Sequence, residues 1–335
     1  MVHITEHFVH ISSDTITLPV PMTPAGFDHS SVSLIIVNYN GAHLLPACLD
    51  SALATVPAGS EILVVDNASS DGSRAVLADY GAAVRLVPSA HNLGFGRACN
   101  LGVAAARNDM LIFLNPDVTF VPGWVSVLTD VLQQNRDIAI VGPALLRPGE
   151  PIPDYVPELI TEQAAVAGCG LSTRRDTWLA LGGFDESFFL YWEDAEVCWR
   201  AWLLGWRVVR SEKCYMYHEK SAITGQFGGW DAQRARNSLY TYVKLMRWPV
   251  VLAYTVRLLA VCLVKMLRWP HLSAGLLDAW VWNMRELPHT LQLRRTIQAH
   301  RIGAYDLLEQ RIREHNRQMM ASQRRASGRP VRRAT

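Results

Sequence analysis

Short, mostly apolar runs alternate with helix-like segments along the first third of the chain. The helix-like segments, residues 43–54 and 95–106, space their apolar side chains along one face. The apolar runs are residues 32–37, 61–65, 84–87 and 110–114. Strands that are apolar on both faces and separated by helices are typical of a parallel sheet covered on both sides. The pattern therefore predicts an α/β fold with a mostly parallel sheet flanked by helices.

The apolar runs end in polar residues. Asn38 and Asp66 close the first two runs, Asn92 follows the third, and Asp117 lies just beyond the fourth. Ligands of such sheets bind beyond the carboxyl ends of the strands. A carboxylate at the tip of a buried strand is costly to desolvate unless a cation meets it, so Asp117 is a candidate ligand for a divalent metal. A turn former or a helix cap is the structural alternative for this aspartate.

A second acidic feature, Glu193-Asp194, opens a helix-like stretch farther along the chain. A carboxylate close to a metal-held leaving group can take the proton of an attacking hydroxyl group, so the pair is a candidate general base. An acidic first helical turn, favoured by the helix dipole, explains the same two residues without catalysis. On sequence alone both interpretations stay open.

Composition limits the class of protein. The chain has 335 residues, half of them hydrophobic, which suits one large α/β domain with an appendage. A net charge of +2 does not indicate nucleic-acid binding, which normally requires a basic domain or stripe. The six cysteines are far apart, so a reducing compartment is predicted instead of a zinc site or a disulfide framework. Residues 1–30 lack the pattern of a signal peptide, so the catalytic body is expected in the cytosol.

The segment from Asn92 to Asn100 has part of a dinucleotide-binding fingerprint. It reads G-x-G-x-x-C from Gly94, lacks the third glycine, and precedes the fourth strand instead of following the first. An enzyme that transfers hydride is therefore disfavoured. A structural loop whose glycines serve backbone geometry is the alternative for this segment.

Five motifs in a fixed order resemble the family-two glycosyltransferases. They are Val37 to Gly41, Val65 to Ser73, Asn92 to Gly96, Asn115 to Asp117, and Gly183 to Glu186 leading to Trp192 to Arg200. The ordered set is similar to the rhamnosyltransferase-like branch and covers about residues 32 to 245. The resemblance implies the Rossmann-like GT-A fold and transfer of a sugar from a nucleoside diphosphate to an acceptor hydroxyl, with inversion at the anomeric carbon.

The resemblance also implies a metal-assisted site. Its metal ligands would be Asp117 and His218, with Mg²⁺ or Mn²⁺ as the cofactor that neutralises the leaving diphosphate. The family usually has an acid two residues before this aspartate, where the chain has Asn115, so weaker metal binding or a shared ligand is expected. A hydrogen-bonded core histidine is the alternative for His218.

Roles for the donor and acceptor follow from the same resemblance. Asp66 is expected to accept the imide N–H of uracil or thymine, which cytosine does not offer, although an Asx turn is its alternative. Asp194 is favoured as the base, Glu193 would hold an acceptor hydroxyl, and Trp192 would stack on a sugar ring. The donor is expected to be dTDP- or UDP-linked, with dTDP-rhamnose first. The residues expected to bind the nucleotide sugar are Asn38, Asn40, Asp66, Asn67, Asn92, Gly94, Phe95, Asn100 and Asn115.

The chain changes character after residue 246. Residues 250–264 are almost all apolar, and the basic residues Arg257, Lys265 and Arg268 fall within an arc of roughly 80° on a helix. This predicts an amphipathic helix at the cytosolic membrane interface, and residues 272–287 are expected to add a second one. A helix buried against the catalytic domain or against the partner of a homodimer is the alternative.

The predicted organisation has four parts. They are an extension (1–30), a glycosyltransferase domain (31–246) with a nucleotide-sugar half (about 31–120) and an acceptor half (about 121–246), an amphipathic helical region (247–310) and a basic disordered tail (311–335). The basic tail would favour an anionic lipid surface, or merely solubilise the chain. Together these parts suit an enzyme of cell-envelope glycan synthesis that uses a lipid-linked or polysaccharide acceptor.

Two other functions stay open. A sugar nucleotidyltransferase should have a Gly-rich, basic loop after its first strand, whereas Asn38 to Gly41 has no nearby lysine or arginine. A catalytically silent, membrane-associated binding partner would use the fold for binding only. The presence of Asp117 and Asp194 argues against this second alternative.

Overall fold

The computed structural model describes residues 31–156, 159–219 and 230–326. The predicted N-terminal extension and the last part of the predicted tail, residues 327–335, lie outside the described residues. Within the described ranges all six cysteines are buried and free.

Within these described ranges, nine strands form one mixed sheet in the order β3-β2-β1-β4-β8-β6-β9-β5, with β7 paired to β9. The strands are β1 (Val32–Asn38), β2 (Glu61–Asp66), β3 (Arg85–Pro88), β4 (Met110–Leu114), β5 (Val118–Phe120), β6 (Ile138–Leu146), β7 (Ile160–Glu162), β8 (Ser172–Arg174) and β9 (Arg207–His218). Pairing is parallel from β3 through β2 and β1 to β4. It becomes antiparallel where β8 joins β4 to β6. The predicted α/β class is confirmed, and its parallel part is the half that carries Asn38 and Asp66.

Helices cover both faces of the sheet. They are α1 (Leu45–Leu53), α2 (Ser73–Asp79), α3 (Phe95–Ala105), α4 (Trp124–Gln134), α5 (Arg175–Leu181), α6 (Glu193–Leu203), α7 (Trp230–Leu245), α8 (Trp248–Arg268), α9 (Ser273–Arg285), α10 (Leu287–Ala299) and α11 (Tyr305–Ala326). Successive side chains of a strand point to opposite faces. Accordingly, Leu34 and Ile36 of β1 pack with α1 and α4, whereas Ile35 packs with α3 and α6. Two apolar layers therefore hold the sheet between them.

A buried ion network joins α6 to α7. The Lys244 ammonium group lies 2.5 Å from Asp185 Oδ2 and 2.8 Å from Glu196 Oε1, and Arg200 completes the network 2.6 Å from Glu196 Oε2. Tyr240 donates a hydrogen bond to the same oxygen of Asp185. Burial would raise the pKa of Asp185, but Lys244 and these hydrogen bonds hold that pKa below its ordinary value. The network fixes the first C-terminal helix against the helix that begins with Glu193-Asp194.

The C-terminal helices differ in part from the sequence expectation. Among the described residues α8 alone is long and apolar enough, by length and composition, to cross a bilayer, and only 11% of its 18-residue window, of mean hydropathy 2.1, is buried. The second predicted helix is present as α9. The prediction of disorder from Arg311 onward is wrong for residues 311–326, which belong to α11. Leu308 and Ile312 pack this helix against the core, and Arg311 forms an ion pair with Glu162.

Candidate active site

The ends of β1 and β2 bring the first predicted residues together. Asn38 and Asp66 are direct neighbours in the register of the two strands, and both are fully buried. Arg74 of α2 donates to Asp66 at 2.7 Å and remains half exposed above it. Asn38 donates to Ser69 at 3.1 Å, and the backbone N–H of Asn40 donates to the same hydroxyl at 3.0 Å. A pyrimidine that reaches Asp66 must therefore displace or share its contact with Arg74, a residue that the sequence analysis missed.

Asn67, Asn92 and Gly94 form a single hydrogen-bonded unit. The side chain of Asn67 donates to Asn92 Oδ1 at 2.8 Å and to the carbonyl of Gly94 at 3.1 Å, and it accepts the N–H of Leu93. Gly94 has φ +80°, and a Cβ there would lie 2.0 Å from the carbonyl oxygen of Phe189. This glycine therefore allows the start of α3 to approach the loop before α6.

Asp117 and His218 meet where β5 pairs with β9. Val118 lies opposite His218 in that register, which brings His218 Nε2 to 3.3 Å from Asp117 Oδ1. That Asp117 oxygen is buried, and no described residue donates a well-formed hydrogen bond to it. Burial lowers the pKa of His218, but Asp117 and Cys169 outweigh this effect and raise it to about 10. The two predicted metal ligands thus lie side by side.

Glu193 and Asp194 begin α6 after a sharp turn. Tyr191 and Trp192 have φ values of 71° and 74°, a left-handed conformation that is strained for bulky residues and is often found at functional sites. Asp194 Oδ2 accepts the N–H of Gly168 at 3.2 Å, and Oδ1 accepts the N–H of Ala195 at 2.7 Å. The turn therefore sets both carboxyl groups at the inner end of the helix.

The two carboxyl groups of the pair have different surroundings. Burial raises the pKa of Glu193 to about 8, and the charge of Asp194 adds to the rise. Burial also raises the pKa of Asp194, but hydrogen bonds from Ala195 and Gly168 and the charge of His315 oppose it. No described residue donates to the buried Glu193 Oε2. Because hydrogen bonds favour the charged form, the first proton taken up by the pair belongs on Glu193 and the charge on Asp194.

A short chain of contacts connects the base candidate to the metal-ligand candidates. Gly168 donates to Asp194, and its neighbour Cys169 places Sγ 3.8 Å from His218 Nδ1. The other nitrogen of His218 faces Asp117. Asp117 and Asp194, which are distant in sequence, therefore approach the same region from β5 and α6.

Three of the predicted nucleotide-binding residues serve other contacts. The side-chain amide of Asn100 donates a hydrogen bond to the backbone carbonyl of Phe184 and accepts one from the backbone N–H of the same residue. Phe95 packs edge-on against the Phe184 ring. Asn115 contacts Cys48 through its backbone carbonyl. Asn100 in particular ties α3 to the loop before α6, so one N–H and the oxygen of its amide already serve a structural contact.

Trp192 and His315 lie close to the acidic pair. The indole of Trp192 packs edge-on against Trp199 with ring centroids 5.7 Å apart. His315 lies on α11, which contacts α6, and its charge acts on Asp194. The sequence analysis missed His315 because it assigned that part of the chain to a disordered tail.

The fit to a divalent cation depends on few protein groups. Asp117 supplies a buried carboxylate oxygen without a good donor, and His218 would supply an imidazole once a cation displaces the proton that Asp117 stabilises on it, so the pair suits Mn²⁺. Within the ranges that the structure describes, His, Cys, Asp and Glu side chains form no cluster of three or more suited to a metal ion. A cation at this position would therefore need further ligands from its substrate.

Comparison with known proteins agrees with this architecture. The profile of the family described as "Glycosyl transferase family 2" matches residues 33–205, and that of "Glycosyl transferase family group 2" matches residues 154–291. An N-acetylglucosaminyl-diphospho-decaprenol L-rhamnosyltransferase from Mycobacterium tuberculosis is 26% identical over 272 residues, covering 67% of this chain and 88% of the relative.

Two solved structures share the fold at low sequence identity. The mannosyltransferase PcManGT from Pyrobaculum calidifontis, in complex with GDP-Man and Mn²⁺, has a TM-score of 0.53 at 17% identity. The match covers 80% of this chain and 85% of the PcManGT chain. A fragment of S. aureus TarS in complex with UDP has a TM-score of 0.52 at 16% identity. The match covers 85% of this chain and 91% of the TarS fragment. The likeness to these structures shows the GT-A fold. The chain belongs to glycosyl transferase family 2, and it is a rhamnosyltransferase-like glycosyltransferase of that family.

Proposed function

We propose that the protein is a metal-dependent inverting glycosyltransferase that moves rhamnose from dTDP-rhamnose to a hydroxyl group of a lipid-linked acceptor. The observation that carries the proposal is the convergence of Asp117 and Asp194 through Gly168, Cys169 and His218. Inversion needs a leaving group held on one side of the anomeric carbon and a base on the other. The rhamnosyltransferase relative supports the choice of sugar.

The acidic pair divides two tasks during transfer. Asp194, which keeps the negative charge, takes the proton of the acceptor hydroxyl as its oxygen bonds to the anomeric carbon. Glu193, neutral below about pH 8, donates a hydrogen bond that orients an acceptor hydroxyl. Trp192 offers an aromatic face for the acceptor sugar. These roles need only small movements, because both carboxyl groups already lie at the start of α6.

On the donor side, Asp66 accepts the imide N–H of the pyrimidine and Asn67 with Asn92 shapes the loop around it. Asp117 and His218 would hold Mg²⁺ or Mn²⁺, which when bound would neutralise the charge that develops on the diphosphate. Oxygen atoms of the donor diphosphate would supply the ligands that the described protein groups lack.

A thermal-shift panel tests the donor assignment. With Mn²⁺ present, dTDP-rhamnose is expected to raise the melting temperature, because ligand at a hundredfold excess over Kd adds about 2.7 kcal/mol of stability. Asp117→Ala should remove the metal-dependent part of the shift, whereas Asp130→Ala, at an exposed position on α4, should leave it intact. The donor proposal is refuted if no dTDP- or UDP-sugar raises the melting temperature with either metal.

We propose further that α8 attaches the enzyme to the cytosolic face of a membrane. Its outer stripe includes Leu252, Val256 and Leu267, which are 67%, 62% and 84% exposed. The exposed Arg257 and Arg268 flank this stripe, and Trp248 and Trp269 mark its two ends. The apolar stripe is exposed and has exposed charged residues beside it. The helix therefore suits a position in the plane of the membrane interface.

Flotation with vesicles tests the attachment. The protein is expected to float with vesicles of phosphatidylcholine and phosphatidylglycerol, and the double substitution Leu252→Glu/Val256→Glu should abolish flotation because it places two charges in the apolar stripe. Leu179→Glu, at an exposed position on α5, is the control that should still float. A concentration-dependent dimer without vesicle binding would instead assign the stripe to a second copy of the chain.

A further inference from the structure

A groove lies between α7 and α8, beside the turn that precedes the acidic pair. Its volume is about 270 Å³, and its walls come from one face of each helix together with Trp192 and Leu276. On α7 the lining extends from Asp231 to Ser238, roughly 10 Å at 1.5 Å per residue. One wall of the groove is thus the same tryptophan that directly precedes Glu193. The groove therefore adjoins the turn that precedes the proposed base.

The groove combines an apolar wall with basic groups. Leu258, Val261 and Cys262 of α8 form the apolar side, and Val261 is also 44% exposed at the outer edge. Lys265 is paired with Asp231 at 2.5 Å, so these two charges offset each other. The guanidinium group of Arg234 lies 4.7 Å from the centre of the Tyr191 ring and forms no ion pair with any carboxylate that the structure describes. The guanidinium group of Arg234 therefore lies beside the strained turn, where it can pair with an anion.

The position of the groove relative to the proposed membrane face limits the kinds of ligand that it can bind. On a helical projection the groove residues of α8 lie opposite the stripe of Leu252 and Val256, with Arg257 and Arg268 between the two. If the stripe rests in the acyl region, the groove lies at the level of the headgroups. Its volume is just below the roughly 300 Å³ at which small-molecule pockets begin, so it suits only a segment of a long acceptor.

We infer that the α7–α8 groove binds the diphosphate and adjoining prenyl unit of a polyprenyl-diphosphate-linked acceptor. This inference rests on the proposed function and names the part of the acceptor that the site recognises. Arg234 pairs with the diphosphate, Val261 and Leu258 contact the first prenyl unit, and the sugar extends past Trp192 toward Asp194. The remainder of the prenyl chain leaves the groove at its outer edge, where Val261 is exposed.

Binding of farnesyl diphosphate to the full chain tests this inference without requiring transfer. In calorimetry with EDTA present, farnesyl diphosphate should bind and farnesol should bind much more weakly. Arg234→Glu should weaken binding at least about tenfold, as expected from the loss of a hydrogen bond to a charged group. Val261→Trp, which adds bulk at the exposed edge, should weaken it similarly. Arg295→Glu, at an exposed position on α10, is the matched control and should bind like the unaltered protein.

Unchanged affinity in both Arg234→Glu and Val261→Trp would overturn the inference, as would equal affinity for farnesol and farnesyl diphosphate. Asp117→Asn should bind farnesyl diphosphate normally, and a loss of binding there would assign the ligand to the donor site instead and also overturn the inference. Failure of the proposed function has a different signature. In that case no sugar transfer occurs with any donor, while the groove still binds farnesyl diphosphate and responds to Arg234→Glu.

Discussion

Replacing Asp194 by Asn is expected to lower kcat for sugar transfer about 10²- to 10⁴-fold, the range that general-base catalysis contributes. The amide keeps an oxygen that can accept the N–H of Gly168 or Ala195, but it cannot take a proton from the acceptor. Donor affinity should remain within about twofold, because the nucleotide residues lie at the ends of β1 and β2. Transfer of labelled sugar to lipid, measured together with donor binding, separates the two effects.

The control for this variant is Asp278→Asn, at an exposed position on α9, which should transfer sugar at the normal rate. A variant Asp194→Asn that retains full transfer activity would remove Asp194 as the base. Unchanged cellular function in a variant that no longer transfers sugar would instead favour the catalytically silent alternative. A parallel loss of donor binding would mean that the substitution had disturbed the fold of the site.

The pH dependence follows from the same residue. Burial raises the pKa of Asp194 above its ordinary value of about 4, despite the hydrogen bonds that favour the charged form. Below its pKa the base is protonated, so kcat/KM should fall as pH decreases. The midpoint of this acidic limb should lie above the range of an exposed aspartate. A flat profile down to pH 4 would contradict the assignment.

Lys244→Met is expected to destabilise the protein by about 3–5 kcal/mol, the cost of leaving a buried charge without its partner. Lys244 is almost fully buried between Asp185 and Glu196, and methionine fills much of the same volume without a charge. Arg200 still pairs with Glu196, so the unpaired group in the variant is mainly Asp185. Chemical denaturation at pH 7 measures the difference, with Lys213→Met, an exposed lysine on β9, as the control.

The sign of the pH effect gives a second check on Lys244→Met. The pKa of Asp185 is lowered in the folded protein, so its contribution to stability is present above the pKa of the unfolded chain, about 3.9, and is lost as pH falls toward the folded value. In the variant this pKa rises, so that contribution disappears. The stability difference should therefore be largest near neutral pH and should shrink in acid. A difference that is independent of pH would mean that lost packing, and not the unpaired carboxylate, is the cause.

The local pattern predicted the nucleotide half of the fold because each of its elements is defined by neighbouring residues. The apolar runs became β1 to β4, and the acidic stretch at Glu193 became the start of α6, since strand burial and helix periodicity are local signals. Short strands such as β7 and β8, and the antiparallel pairings of β8, have no comparable local signal. Strand β8 depends on the edges that β4 and β6 present, and β7 depends on its pairing with β9.

The C-terminal part shows why composition is an incomplete guide. Residues 311–326 are rich in arginine and suggested disorder, yet they form part of α11. The apolar side chains of Leu308 and Ile312 pack against the core, and Arg311 forms an ion pair with Glu162. A single sequence does not reveal that these partners exist, because they come from β7 and from the apolar layer that contains α6. For the same reason the sequence did not predict that His315 acts on Asp194.

By itself the sequence determined the α/β class, the polar ends of the first strands and the residues with acid–base or ligand chemistry. Those properties follow from residue type and short-range periodicity. The tertiary structure decided which of them meet. Pairing of β5 with β9 set Asp117 beside His218, the loop at Gly168 linked this pair to Asp194, and packing of α7 on α8 formed the groove at Arg234. Contacts between residues far apart in the chain depend on the complete fold, and no local pattern encodes them.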